Sequence, residues 1–211
     1  VLCFGEFHVH SILGRSSGLK VGGGRRRVWG MQKTILMIVA VALVGCASTP
    51  LFNLNDKGHV IIEANIRKAL NKPKGELTKA NLEKVADLYL VDTKITDADL
   101  KELAKLQKLI KLNLARTQIT DAGLKEVAKL QQLENLYLNK TQITDAGLKE
   151  LVKLEKLTTL SLHGTKITDA GLKNIAKLQK LESLWLSNTK VTRAGAAELQ
   201  KALPKCRISG P

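Results

Sequence analysis

The sequence is poor in the residues that usually build small reactive sites. Its 211 residues include three cysteines, four histidines and four prolines, and only 3% are aromatic. Cys3, Cys46 and Cys206 are too scattered for a disulfide framework or for metal-ligand spacing, and His59 and His163 stand alone. With so few rings, any core must be aliphatic. The glycines Gly123, Gly147, Gly171 and Gly195 are spaced singly and form no phosphate-cradling loop. Their place at helix starts points to close packing. No nucleophile–base pair, metal set or cofactor loop is legible, so we expect no enzyme and no cofactor. No apolar run is long enough to span a bilayer: the longest, Ile35–Val44, has about half of the ~20 residues required.

Charge is abundant and mostly of one sign. The formal net charge is +15, from 34 Lys+Arg against 19 Asp+Glu. Six of these bases and one acid lie in residues 1–45, so residues 46–211 keep 28 bases against 18 acids. Such a surplus favours anionic partners without choosing among them.

The apolar run has a signal-peptide layout: Met31, a basic Lys33, the hydrophobic stretch, then Gly45-Cys46. Its end, "LVGC" at 43–46, resembles the bacterial lipoprotein box. That resemblance implies diacylglycerol on Cys46, cleavage before it, and membrane attachment by two or more acyl chains. An uncleaved anchor or an ordinary signal is the alternative. Residues 1–30 are read as a mis-assigned start or a disordered extension, 31–45 as the signal peptide and 46–57 as a tether. An export signal disfavours nucleic acid as partner. Ala47 after the cysteine resembles outer-membrane lipoproteins of two-membrane bacteria, so the expected location is the cell envelope, on the outer membrane or the periplasmic face.

The rest is periodic. Thr93, Thr117, Thr141, Thr165 and Thr189 recur every 24 residues within one template, LxxLxLxxTxIT, and "TQITDAGLKE" occurs twice without change. A fixed period of this length marks a solenoid. The LxL leucines lie two apart and share one face of a strand. After each "IT" the period becomes helical, with Leu124, Val127 and Leu130 as the example. Asp121 with Thr120 supplies a helix-start signal, and the column Asp97, Asp121, Asp145, Asp169 is read as helix caps. One unit cannot bury its own leucines, whereas five stacked units can.

This template resembles the leucine-rich repeat family over about Leu82 to Leu199. The resemblance implies an α/β solenoid, or horseshoe: parallel strands on the concave face, short helices on the convex face, and about five 24-residue repeats plus caps. Threonine stands where the family commonly has asparagine at the strand exit, and its hydroxyl is expected to serve the turn backbone instead. Residues 58–81, with Ile62, Ile66 and Leu70 four apart and a break at Pro73 and Gly75, resemble an N-terminal cap. The repeats are assigned to 82–198 and a C-terminal cap to 199–211, with Cys206 and Ile208 on a last short strand.

Function is sought on the outward strand positions, which fall into three columns. Every aromatic after Phe52 lies in the middle one: Tyr89, Asn113, Tyr137, Ser161, Trp185. Rings on alternate coils should stand about 10 Å apart, with slots floored by Asn113 and Ser161. Asn139 and His163 flank them in the third column. Tyr and Trp are common binding anchors, although aromatics also suit strand centres. These positions are the candidate surface for a protein, peptide or glycan, on a chain expected to be monomeric. Two convex lysine columns, Lys101/Lys125/Lys149/Lys173 and Lys105/Lys129/Lys153/Lys177, offer an alternative: a structural envelope component docking on anionic lipid or cell-wall polymer. The plainer account is a solvated helix face, with Glu102, Glu126 and Glu150 interleaved.

Overall fold

The structure is a computed structural model that describes residues 57–211. The signal-like stretch and Cys46 lie outside the described residues. Two helices open the described part: α1 (Lys57–Ala69) and the single turn α2 (Lys79–Leu82). Then strands and helices alternate: β1 (Asp87–Tyr89), α3 (Leu100–Leu103), β2 (Lys111–Asn113), α4 (Asp121–Val127), β3 (Asn135–Tyr137), α5 (Leu148–Leu151), β4 (Thr159–Ser161), α6 (Asp169–Ile175), β5 (Ser183–Trp185), α7 (Arg193–Ala202) and β6 (Arg207–Ser209).

The six strands form one open parallel sheet in sequence order. Its register copies the sequence period, so Leu88, Leu112, Leu136, Leu160, Leu184 and Ile208 lie side by side. The second leucine of each LxL (Leu90, Leu114, Leu138, Leu162, Leu186) runs parallel to them, and both leucine rows are buried. Helix residues such as Leu124, Val127, Leu172 and Ile175 close the other side of the same core. Each fully buried leucine contributes about 1.5–3 kcal/mol.

Each of the first five strands ends in a sharp turn. Asp92, Arg116, Lys140, Gly164 and Asn188, the residues just before the repeat threonines, all have positive φ. The threonine that follows locks the turn by donating its hydroxyl to the leucine carbonyl three residues back. Examples are Thr117 to Leu114 at 2.7 Å and Thr165 to Leu162 at 2.6 Å. Threonine therefore serves the turn backbone within its own coil.

Both ends of the core are covered. Ile62 and Ile66 of α1 are fully buried, and α1 packs on β1. Thr78 starts α2 with a reciprocal capping box to Asn81. At the far end, α7 buries Leu199, Leu203 follows it, and Cys206 leads into β6.

Candidate binding face

Strand periodicity places the first and third residue of each three-residue strand on the open face, with the leucine between them turned inward. Tyr89 is 49% exposed and Trp185 38% exposed, among the most exposed large apolar groups of the described residues. Tyr137 is half-buried between them. Parallel pairing sets Tyr89, Asn113, Tyr137, Ser161 and Trp185 in one row across the sheet.

The two slots between these rings differ. The position over Ser161 carries no charge: Ser161 is only 4% exposed, covered among its neighbours, and Thr159 beside it is small. The slot over Asn113 is filled. The Lys111 ammonium lies 5.6 Å from the Tyr89 ring centroid and 5.8 Å from that of Tyr137, a cation held between two π faces. The Tyr89 side chain beside it first, then that of Tyr137, raise the Lys111 pKa above its ordinary value by favouring the charged ammonium. Lys111 heads β2 and is not among the candidates read from the sequence. The available signal was a lysine one strand from tyrosines on both sides.

The remaining candidates are unequal. Asn113 uses its side-chain oxygen to accept from the Ala115 amide at 3.0 Å, so it serves the strand exit. Asn139 and His163 are half-buried at the next outward position. The Asn139 carboxamide oxygen is buried and has no hydrogen-bond partner. Beyond Tyr89 the face continues into a cleft of about 510 Å³ between α1 and β1, whose lining includes Asn65, Lys68, Lys84 and Asp87.

The aspartate column has a different use from the one expected. Threonine caps α4, α6 and α7: Thr120 accepts from the Ala122 amide, Thr168 from that of Ala170 and Thr192 from that of Gly195. The neighbouring aspartates reach across to the following coil. Asp97 accepts from the Thr120 amide and hydroxyl, Asp121 from Thr144, Asp145 from Thr168 and Asp169 from Thr192. At Asp121 and Asp169 a capping hydroxyl one residue earlier already holds the helix start, which leaves the carboxylate for the inter-coil bond. In the first coil, which has no aspartate behind it, Asp99 turns back onto Thr96. On the convex side Lys105, Lys129 and Lys153 pair with Glu102, Glu126 and Glu150. Among the described residues, no cluster of three or more His, Cys, Asp or Glu could hold a metal. No helix there is long and apolar enough to cross a membrane.

Family models confirm the unit. A model described as a leucine-rich repeat matches residues 105–128, and one of two such copies matches 131–174. The fold is a leucine-rich repeat solenoid. Comparison with curated proteins produced no match. Among solved structures, internalin C2 of Listeria monocytogenes is 23% identical, with 76% of this chain and 85% of that one covered, at a TM-score of 0.47. A leucine-rich repeat protein of Leptospira interrogans is 26% identical (61% and 38% covered, TM-score 0.46), and the Listeria internalin inlF is 21% identical (71% and 54%, TM-score 0.45). The repeat chain thus spans about half or less of the latter two.

Proposed function

We propose that the solenoid is a non-catalytic binding module and that its partner, a protein or peptide, sits across the aromatic row of the strand face. The observation that carries this reading is the exposure of Tyr89 and Trp185 in one row with Tyr137, beside the Lys111 ammonium. Exposed rings held on a rigid sheet offer large contact area at little entropic cost. A lone strand-propensity preference does not explain why rings avoid the other two columns.

The chain is further proposed to be an exported lipoprotein, held at a cell-envelope membrane through lipid on Cys46. The convex lysines support the alternative docking reading less well, since one of their two columns is largely neutralised by glutamates.

The test is capture of envelope proteins by the detergent-solubilised full chain, comparing it with Tyr137→Ala and Trp185→Ala. Loss of a specific partner with an unchanged melting temperature is the expected result. Capture that survives both changes, or that vanishes only because the variants unfold, would reject the reading. Cys46→Ala should move the protein from the membrane fraction to the soluble one. Its retention in the membrane would remove the lipid anchor from the proposal.

A further inference from the structure

The partner's chemistry is constrained by the spacing of the row and by what fills its slots. Parallel strands lie about 4.8 Å apart, so rings on alternate coils, and likewise the two slots, repeat at about 9.6 Å. An extended β-strand laid across the row would repeat its side chains at about 6.6 Å and fall out of step. A polyproline II segment turns once in three residues of 3.1 Å, about 9.3 Å, and stays in step over both slots. Aromatic-walled slots are also the surface that such preformed, low-entropy segments dock on.

The slots ask for different side chains. Over Asn113 the ring faces of Tyr89 and Tyr137 already carry the Lys111 ammonium, which blocks flat stacking of a sugar there and presents a fixed cation instead. The adjoining cleft adds Lys68 and Lys84 against one acid, Asp87. Over Ser161, between Tyr137 and Trp185, the surface is uncharged and flanked by two rings, suited to a proline ring.

Resting on the binding-face reading above, we propose that this row recognises a polyproline II peptide segment with an acidic side chain over Lys111 and a proline three residues away between Tyr137 and Trp185. The acid pairs with the tyrosine-held ammonium, and the proline packs against the Tyr137 and Trp185 rings. Strand direction does not matter to the fit, because the spacing reads the same both ways.

Calorimetry on the full-length protein in detergent tests this with a heptapeptide carrying one glutamate flanked by three prolines on each side. The expected result is binding that weakens about tenfold in Lys111→Gln, the loss of one charge-assisted contact, and comparably in Trp185→Ala, while both variants melt like the parent. Replacing the glutamate with lysine should abolish binding, and replacing the prolines with glycine should weaken it strongly. Failure of the peptide to bind, equal binding of the lysine or glycine peptides, or indifference to Lys111→Gln would overturn the inference. So would tighter binding of an N-acetylhexosamine oligomer, which would make the ligand a glycan. If no peptide binds but partner capture still depends on Trp185, the binding face stands and only this assignment falls. If capture is also indifferent to Trp185, both fall.

Discussion

Asp145 and Thr168 belong to successive coils, yet both carboxylate oxygens of Asp145 are engaged by Thr168: the amide donates at 2.8 Å and the hydroxyl at 2.6 Å. The same Thr168 hydroxyl accepts from the Ala170 amide and starts α6. One threonine thereby joins its helix start to the coil before it. Three further aspartates repeat the bond along the solenoid.

Removing one rung of this ladder should be costly. Asp145→Ala leaves the Thr168 amide and hydroxyl without that acceptor, and we expect a loss of about 1–3 kcal/mol, or roughly 2–4 °C of melting temperature per kcal/mol. Glu150→Gln is the control. It removes a carboxylate that Lys153 holds in an exposed pair, which should matter by no more than about 1 kcal/mol. Urea titration of both variants checks the contrast.

Gly171 is small because of that bond. A methyl group on Gly171 would land on the Asp145 carboxylate and lie 2.9 Å from Leu148 Cδ1. Gly171→Ala should therefore destabilise by about 1–3 kcal/mol, although alanine is intrinsically the better helix former. In an Asp145→Gly background the penalty should shrink or reverse, so a double-mutant cycle will be strongly non-additive. Additive effects would mean that the two side chains are not in contact.

Lys140 occupies the positive-φ turn position (φ 54°), which Gly164 and Asn188 fill without the same strain in later coils. Lys140→Asn should stabilise the protein by up to about 1 kcal/mol, since short polar side chains tolerate the left-handed region. A melting temperature raised by a few degrees, with strand-face binding unchanged, is the expected outcome.

Cys206 is 3% exposed, and burial pushes its thiol from the ordinary 9.0 up to about 11. Below pH 9 the thiol is protonated in both folded and unfolded chains, so its contribution to stability is complete. Between pH 9 and 11 the unfolded chain ionises while the folded one does not, and that contribution is lost. Urea midpoints should fall more steeply over this window for the parent than for Cys206→Val. The Cys206 thiol of the native protein should also resist alkylation until the chain unfolds.

Much of this architecture was legible from the repeat itself. Two leucines two residues apart, returning every 24 residues, can only be buried by stacking, and the sheet register reproduces that period from Leu88 to Leu184 without a slip. The aromatic row was legible for the same reason, because strand alternation decides which side chains face out. Interactions between coils were harder to read. Asp121 and Asp169 directly follow the capping threonines of α4 and α6, so a local cap explained the column well, and nothing in one coil's sequence says that the carboxylate spans to the next. Lys111 is the parallel case: its column neighbours are Asp87 and Asn135, and only the packed sheet brings its ammonium between Tyr89 and Tyr137.

By itself, then, the sequence determined the period, the inward and outward faces and the aliphatic core, because these follow from chain geometry and from water's exclusion of leucine. Tertiary structure alone decided which polar groups meet across adjacent coils and how the two aromatic slots differ. Those outcomes depend on side-chain reach between coils, a distance that no single repeat contains.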